Sequence, residues 1–253
     1  MTEIKVSKRH LDTLVRKFEI PEFIKDDPVQ FPHQYEGKLD IEVSGFLSSV
    51  FAFGNRKKII ENLELIHEII NPDPFEFVVN FDMDRDAILL TGFKYRFYQE
   101  KEVVMLINAM SQIFKQYGSL ENAFMTGFSP DHYNVKEGLI AFVNLFREYL
   151  PVNGLVPSPE NGSACKRLNL FLKWMVRGGP VDLGVWENIP TSKLVIPLDT
   201  HVAQISRMWG LTERKADDWR TAEEITNNLK CFDPDDPVKY DFALFGTGVG
   251  GVI

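Results

Sequence analysis

The chain has 253 residues, 44% of them hydrophobic, with a formal net charge of −8 and an isoelectric point near 5.2. That apolar content can bury a core as one large domain or two interleaved lobes, which excludes a disordered chain. No apolar run approaches the roughly 20 residues needed to cross a bilayer, and the opening MTEIKVSKRHLDTLVRKF mixes charge with apolar residues and has no signal-peptide core. A membrane protein is therefore excluded and a cytoplasmic location expected. Only Cys165 and Cys231 are present, too few for a disulfide framework, a four-cysteine zinc site or an iron-sulfur cluster. His10, His33, His67, His132 and His201 lack the paired spacing of zinc ligands. No metal and no cofactor is expected. The acidic balance argues against a polyanionic partner, but the cations cluster: Arg56, Lys57 and Lys58; Lys94 and Arg96; Lys166, Arg167, Lys173 and Arg177.

In chain order, residues 7–20 read as an amphipathic helix, followed by a proline- and acid-containing connection through Pro32. Residues 1–39 are expected to form a peripheral arm and residues 40–253 the main helical domain. Asp40 reads as an N-cap for a helix that is apolar on nearly all faces and stops at Gly54. RKKIIENLELIHEII then sets Ile59, Ile60, Leu63, Ile66 and Ile70 at helical spacing before Pro72. A short helical or irregular stretch over 75–89 and a break at Gly92 lead to a helix from Glu100 to Tyr117, ended by Gly118. Ser119 starts a brief helix, residues 135–149 form another, and PVNGLVPSPENGS is loop by composition.

From Ala164 to Val176 the helical period returns, with Lys166, Lys173 and Arg177 on one face, because offsets of 7 and 11 residues come back to within about 20° at ~100° per residue. A long loop (178–197) precedes a helix opened by Pro197-Leu198-Asp199. Thr221-x-x-Glu224 reads as a capping box for the next helix, and residues 236–245 form the last. No β alternation persists and no fixed repeat occurs. The fold class is all-α.

The most specific stretch is IPLDTHVAQISRMWGL (196–211): an aspartate entering a helix, then Thr-His-Val, an arginine six residues after the histidine, and a glycine. It resembles the catalytic-aspartate segment of the helix-hairpin-helix DNA glycosylase superfamily, which includes endonuclease III and 8-oxoguanine glycosylase. Upstream, Gly162-Ser163-Ala164-Cys165-Lys166-Arg167-Leu168-Asn169 stands where that superfamily carries its hairpin and catalytic lysine. It departs from the pattern in lacking the second hairpin glycine and in the long 178–197 spacer. Phe53-Gly54-Asn55-Arg56-Lys57 falls where members place duplex-wedging residues, and Thr91-Gly92-Phe93-Lys94-Tyr95-Arg96 is similar to the glycine turn before their next helix. The likeness covers roughly residues 40–248 and looks closest to an uncharacterised bacterial family related to the superfamily.

The resemblance implies a two-lobed glycosylase-like fold with the cleft between lobes, Asp199 at its floor and the Lys166 helix beside it. It also implies excision of a damaged base from lesion-containing duplex DNA, with or without an AP lyase step. The chemistry agrees. A carboxylate beside the sugar stabilises the cation that develops as the base leaves, the role for Asp199. A lysine amine can attack the anomeric carbon and form a Schiff base, the role for Lys166. An aspartate before a helix is equally an N-cap, and both roles are compatible. Lys166 is otherwise a phosphate contact or a solvated charge. His201 is either a phosphate contact in the first helical turn or a capping residue. Gly162, Ser163 and Ala164 offer backbone N–H groups to phosphate or simply lead into a helix. Asn55, Arg56 and Lys57 either meet the duplex, with Asn55 and Arg56 filling the gap left by a flipped base, or join two helices. Trp174 and Trp186 are stacking platforms or core. Competing readings are a monofunctional glycosylase in which Asp199 activates water, and a non-catalytic helix-hairpin-helix binding module.

Overall fold

The computed structural model describes residues 4–150 and 155–249. The start of the loop expected at Pro151 and the end of the glycine-rich tail lie outside the described residues. The regular structure is almost entirely helical, and among the described residues the one sheet has two strands. Contacts divide the chain into two compact units. The first comprises Met1–Asp26, Pro130–Lys136 and Ser158–Ile253; the second comprises Asp27–Ser129 and Glu137–Pro157.

The first unit begins with α1 (Lys8–Phe18), capped by Ser7, whose hydroxyl accepts from the His10 N–H. The expected peripheral arm is corrected here. Leu11 is fully buried. The Lys5 N–H donates to the Trp209 carbonyl at 2.9 Å, the Tyr240 hydroxyl donates to Asp12 at 3.0 Å, and Glu19 pairs with Arg177 at 3.1 Å. Residues 27–39 belong instead to the second unit, where Val29 and Phe31 are core. The ring of Phe31 stacks on His67 with centroids 4.4 Å apart. The chain changes unit after Asp26, not at residue 40, because the apolar residues of this proline-punctuated stretch need a core to bury in.

In the second unit, α2 (Lys38–Phe51) is buried on every face from Ile41 onward, its apolar residues interleaved with the buried Glu42, Ser44, Ser48 and Ser49. It starts two residues before Asp40, which lies in its first turn and accepts instead from the Phe75 N–H at 2.9 Å; the N-cap reading of Asp40 is corrected by that longer-range bond. Asn55 caps α3 (Arg56–Ile70). There His67 is 2% exposed; its Nδ1 lies 2.8 Å from the Leu63 carbonyl and its Nε2 2.8 Å from the Ser44 hydroxyl of α2. With Nδ1 donating to the carbonyl, Nε2 is left to accept from Ser44, the arrangement of a neutral imidazole. Short helices α4 (Pro74–Val79) and α5 (Met83–Asp86) follow.

Sequence periodicity misses the next element. Strands β1 (Lys94–Tyr95) and β2 (Tyr98–Gln99) form a minimal antiparallel hairpin with Lys94 opposite Gln99 and Tyr95 opposite Tyr98. Two paired residues per strand are too few for alternation to register. Helix α6 (Glu100–Tyr117) ends at the left-handed Gly118, α7 (Leu120–Met125) is capped by Ser119, and α8 (Lys136–Tyr149) closes the stretch.

The chain then returns to the first unit with α9 (Lys166–Val176), α10 (Thr200–Met208), α11 (Trp219–Lys230) and α12 (Asp241–Val249). Helix α11 is capped by Asp218, whose carboxylate accepts from the Thr221 N–H at 2.9 Å. Thr221 is thus inside the first turn rather than at its cap, which corrects the capping-box reading. The loop after α9 folds back on that helix: the Leu183 N–H and Trp186 N–H donate to the Trp174 and Met175 carbonyls at 2.8 Å each. These bonds satisfy carbonyls that a helix end leaves unpaired.

Candidate active site

Asp199 is the N-cap of α10: its Oδ1 accepts from the Val202 N–H at 2.9 Å. Its other oxygen, Oδ2, faces Nζ of Lys166, the first residue of α9, at 4.0 Å. The capping bond and the lysine therefore fall on different oxygens of one carboxylate. The Lys166 and Asp199 side chains are 30% and 20% exposed, so the pair is reachable from solvent. His201 is 53% exposed, with Nδ1 4.0 Å from Asp199 Oδ1. The structure thus brings Lys166, Asp199 and His201 together at the beginnings of two successive helices of the first unit.

The turn leading into α9 is built from two left-handed residues, Gly162 at φ 77 and Cys165 at φ 49. The Gly162 N–H already donates to the Pro159 carbonyl at 3.0 Å, and its carbonyl accepts from the Trp219 N–H at 3.0 Å. Ser163 and Ala164 on the same turn are half-buried, and Ser163 forms an antiparallel bridge with Asp218. The Ser163 hydroxyl accepts from the Cys165 N–H at 3.1 Å. Burial pushes the Cys165 thiol up to about 12, so the cysteine stays protonated at neutral pH and is no nucleophile.

The expected cationic face of α9 is not a face at all beyond Lys166. Lys173 and Arg177 are each 3% exposed. The Lys173 amine sits 2.9 Å from Asp241, 3.7 Å from Asp182 and 3.6 Å from the centroid of the Phe242 ring. Arg177 bonds Asp182, takes both oxygens of Asp236 on its Nε at 3.0 Å, and reaches Glu19 at 3.1 Å. Burial works against both cations, yet the surrounding carboxylates outweigh it and raise their pKa values. Burial lifts the fully enclosed Asp182 carboxyl up to about 6 against the pull of both cations. Four carboxylates share two cations, and the most enclosed acid carries the excess. Helical spacing alone could not separate a solvated cationic stripe from a buried one.

Trp174 and Trp186 are core, each 2% exposed, and offer no ring to a base. The exposed ring that sequence reasoning missed is Phe97, 66% exposed at the hairpin tip of the second unit. It stacks on Phe53 with centroids 5.6 Å apart, and the Arg96 guanidinium lies 5.4 Å from the Phe53 ring and 6.0 Å from that of Phe97. Arg96 occupies the first central position of a two-residue hairpin turn at φ 56, a place glycine usually takes, at a cost on the order of 1 kcal/mol. Gly54, at φ 102, allows the hairpin to lie over the α2–α3 junction; a Cβ there would stand 2.7 Å from Arg96 Nη1. Asn55, Arg56 and Lys57 border that junction, Asn55 with its side-chain oxygen accepting from the Lys58 N–H at 3.2 Å. The signal in the sequence was the run Tyr95-Arg96-Phe97 after a glycine break.

Residues 27–250 match a family described as a protein of unknown function, DUF2400. The chain belongs to the DUF2400 family. No curated protein and no solved structure shows a significant match to it. The family match covers the whole second unit, α9–α12 and the Lys166–Asp199 pair, and leaves α1 outside. Among the described residues, no three His, Cys, Asp or Glu side chains converge as a metal-binding group, and no helix is long and apolar enough to cross a membrane.

Proposed function

We propose that this DUF2400 protein is a DNA glycosylase that excises a damaged base from duplex DNA and follows excision with an AP lyase step. The observation that carries the reading is the Lys166–Asp199 pair, an amine and a carboxylate 4.0 Å apart, both open to solvent, at the N-termini of consecutive helices. In this reading the Asp199 carboxylate stabilises the positive charge that builds on the sugar as the glycosidic bond breaks. The Lys166 amine, having given up a proton, attacks the anomeric carbon, and the base departs with the bonding electron pair and is protonated. Ring opening yields a Schiff base, elimination cuts the strand, and water regenerates the lysine. His201 and the N–H groups of Ser163 and Ala164 hold backbone phosphates on either side. The strained Arg96 turn with its exposed Phe97 supports a nucleic-acid surface on the second unit, since bases stack on such rings irrespective of sequence.

The exposure of Asp199 admits water and favours, as a second reading, a monofunctional enzyme in which Asp199 activates water and Lys166 contacts phosphate. Borohydride trapping separates the two. Duplexes bearing 8-oxoguanine, oxidised pyrimidines, uracil or an abasic site are incubated with wild type and Lys166→Gln, and free base is read in parallel. A covalent adduct that disappears in Lys166→Gln supports the bifunctional mechanism. Base release without an adduct supports the water mechanism, and neither signal on any duplex overturns the glycosylase reading.

A further inference from the structure

Helices α9 and α10 carry Lys166 and Asp199 at their first turns, and one element touches both helices. Helix α12 is nine residues long, about 13 Å at 1.5 Å per residue. Its first residue, Asp241, is bonded to Lys173 in the C-terminal half of α9 at 2.9 Å, under the Phe242 ring. Near its other end, Gly248 lies against α10. A Cβ on Gly248 would stand 2.9 Å from the His201 Cβ and 3.6 Å from Ile205 Cγ1, closer to His201 than packed side chains tolerate. Helix α12 is thus fixed to α9 by a buried ion pair and seated on the first turn of α10 by the absence of a side chain.

We propose that α12 is a strut that sets the separation of Lys166 from Asp199, with Asp241, Lys173 and Gly248 as positioning residues for that pair. The proposal rests on the functional reading only for its consequence in catalysis; the geometry it asserts stands apart from DNA. A methyl at Gly248 must displace α12 or the first turn of α10, and the first turn of α10 is where Asp199 sits. The pair is short of contact, so a displacement of about 1 Å is enough to alter it, and catalytic groups misplaced by that amount lose on the order of a hundredfold in rate.

The test is a zero-length carbodiimide cross-link, which joins an amine to a carboxylate only when the two are adjacent, read by peptide mass spectrometry without DNA. Wild type should give the Lys166–Asp199 linkage alongside the Lys239–Asp233 linkage of the same unit, whose residues are also paired. Gly248→Ala should lower the first yield at least fivefold and leave the second unchanged. Asp241→Asn, which keeps the volume and frees the other end of α12, should lower it as well and covers the case in which Gly248→Ala does not fold. Unchanged Lys166–Asp199 yield in Gly248→Ala and Asp241→Asn overturns the strut, as does a loss matched by the Lys239–Asp233 linkage. A wild type that cross-links but neither releases base nor nicks abasic duplex overturns the glycosylase reading alone.

Discussion

The carboxylate of Asp199 is divided between two partners, with Oδ1 accepting from the Val202 N–H at 2.9 Å and Oδ2 facing Lys166 Nζ at 4.0 Å. The division lets substitution separate the capping role of Asp199 from the chemical role proposed for it. Asparagine caps helices as well as aspartate does, whereas alanine forfeits about 1 kcal/mol, and a partly exposed ion pair contributes less than about 1 kcal/mol. Asp199→Asn is therefore expected to melt within about 2 °C of wild type and to lose base release, while Asp199→Ala melts several degrees lower. Thermal unfolding of both variants beside a base-release assay decides it; retained activity in Asp199→Asn would leave Asp199 a cap and nothing more.

Phe97 is 66% exposed, so its removal should scarcely affect folding. If the hairpin tip meets nucleic acid, Phe97→Ala should weaken binding to an abasic duplex about tenfold, in the range of one lost stacking contact. Fluorescence anisotropy at fixed salt reads this, and equal affinities for wild type and variant would remove the hairpin from the interface.

Arg177 compensates Asp182 in a nearly water-free cluster. Arg177→Met leaves that carboxylate with the more distant Lys173 alone and should cost about 3–5 kcal/mol, roughly 10 °C in melting temperature for a chain of this size. Asp182→Asn tests the charge excess. With its folded carboxyl lifted to about 6 and its unfolded value near 3.9, the folded state holds the extra proton between those limits. The contribution of Asp182 to stability is thus present below about pH 4 and declines as pH rises toward 6. Urea unfolding between pH 4 and 6.5 should show this slope in wild type minus variant; identical slopes would contradict it.

His67 acts with the opposite sign in the second unit. Burial pushes its pKa down to about 4, below the unfolded value near 6.5, so the unfolded chain binds the proton first as pH falls. Its contribution, about 3 kcal/mol from a shift of this size, is complete above pH 6.5 and is lost as pH falls toward 4. His67→Gln should flatten that loss, and hydrogen exchange at pH 5 should show the amides of α2 and α3 opening more readily than at pH 7 in wild type. Equal protection at both pH values would count against a buried neutral histidine at this position.

The helices were legible wherever their ends are local events. Gly118 ending α6, Ser119 capping α7 and Asp199 capping α10 are decided by residues within one turn, whereas Asp199 and Lys166 stand out as candidates through the family resemblance of their segments. The fate of Lys173 and Arg177 was not legible, because burial is set by Asp182, Asp236, Asp241 and Glu19 arriving from distant parts of the chain. The placement of α1 follows the same rule: its amphipathic face was plain, but that it covers a core could be seen only with its partners in place. The β1–β2 hairpin escaped notice because two residues per strand leave no period to detect. Sequence alone determined the helical class and most helix boundaries, since these depend on neighbours within a few positions. Tertiary structure alone decided the 4.0 Å separation of Lys166 from Asp199 and that α12 spans the two helices that carry them, since distances between remote side chains are fixed by packing and not by spacing.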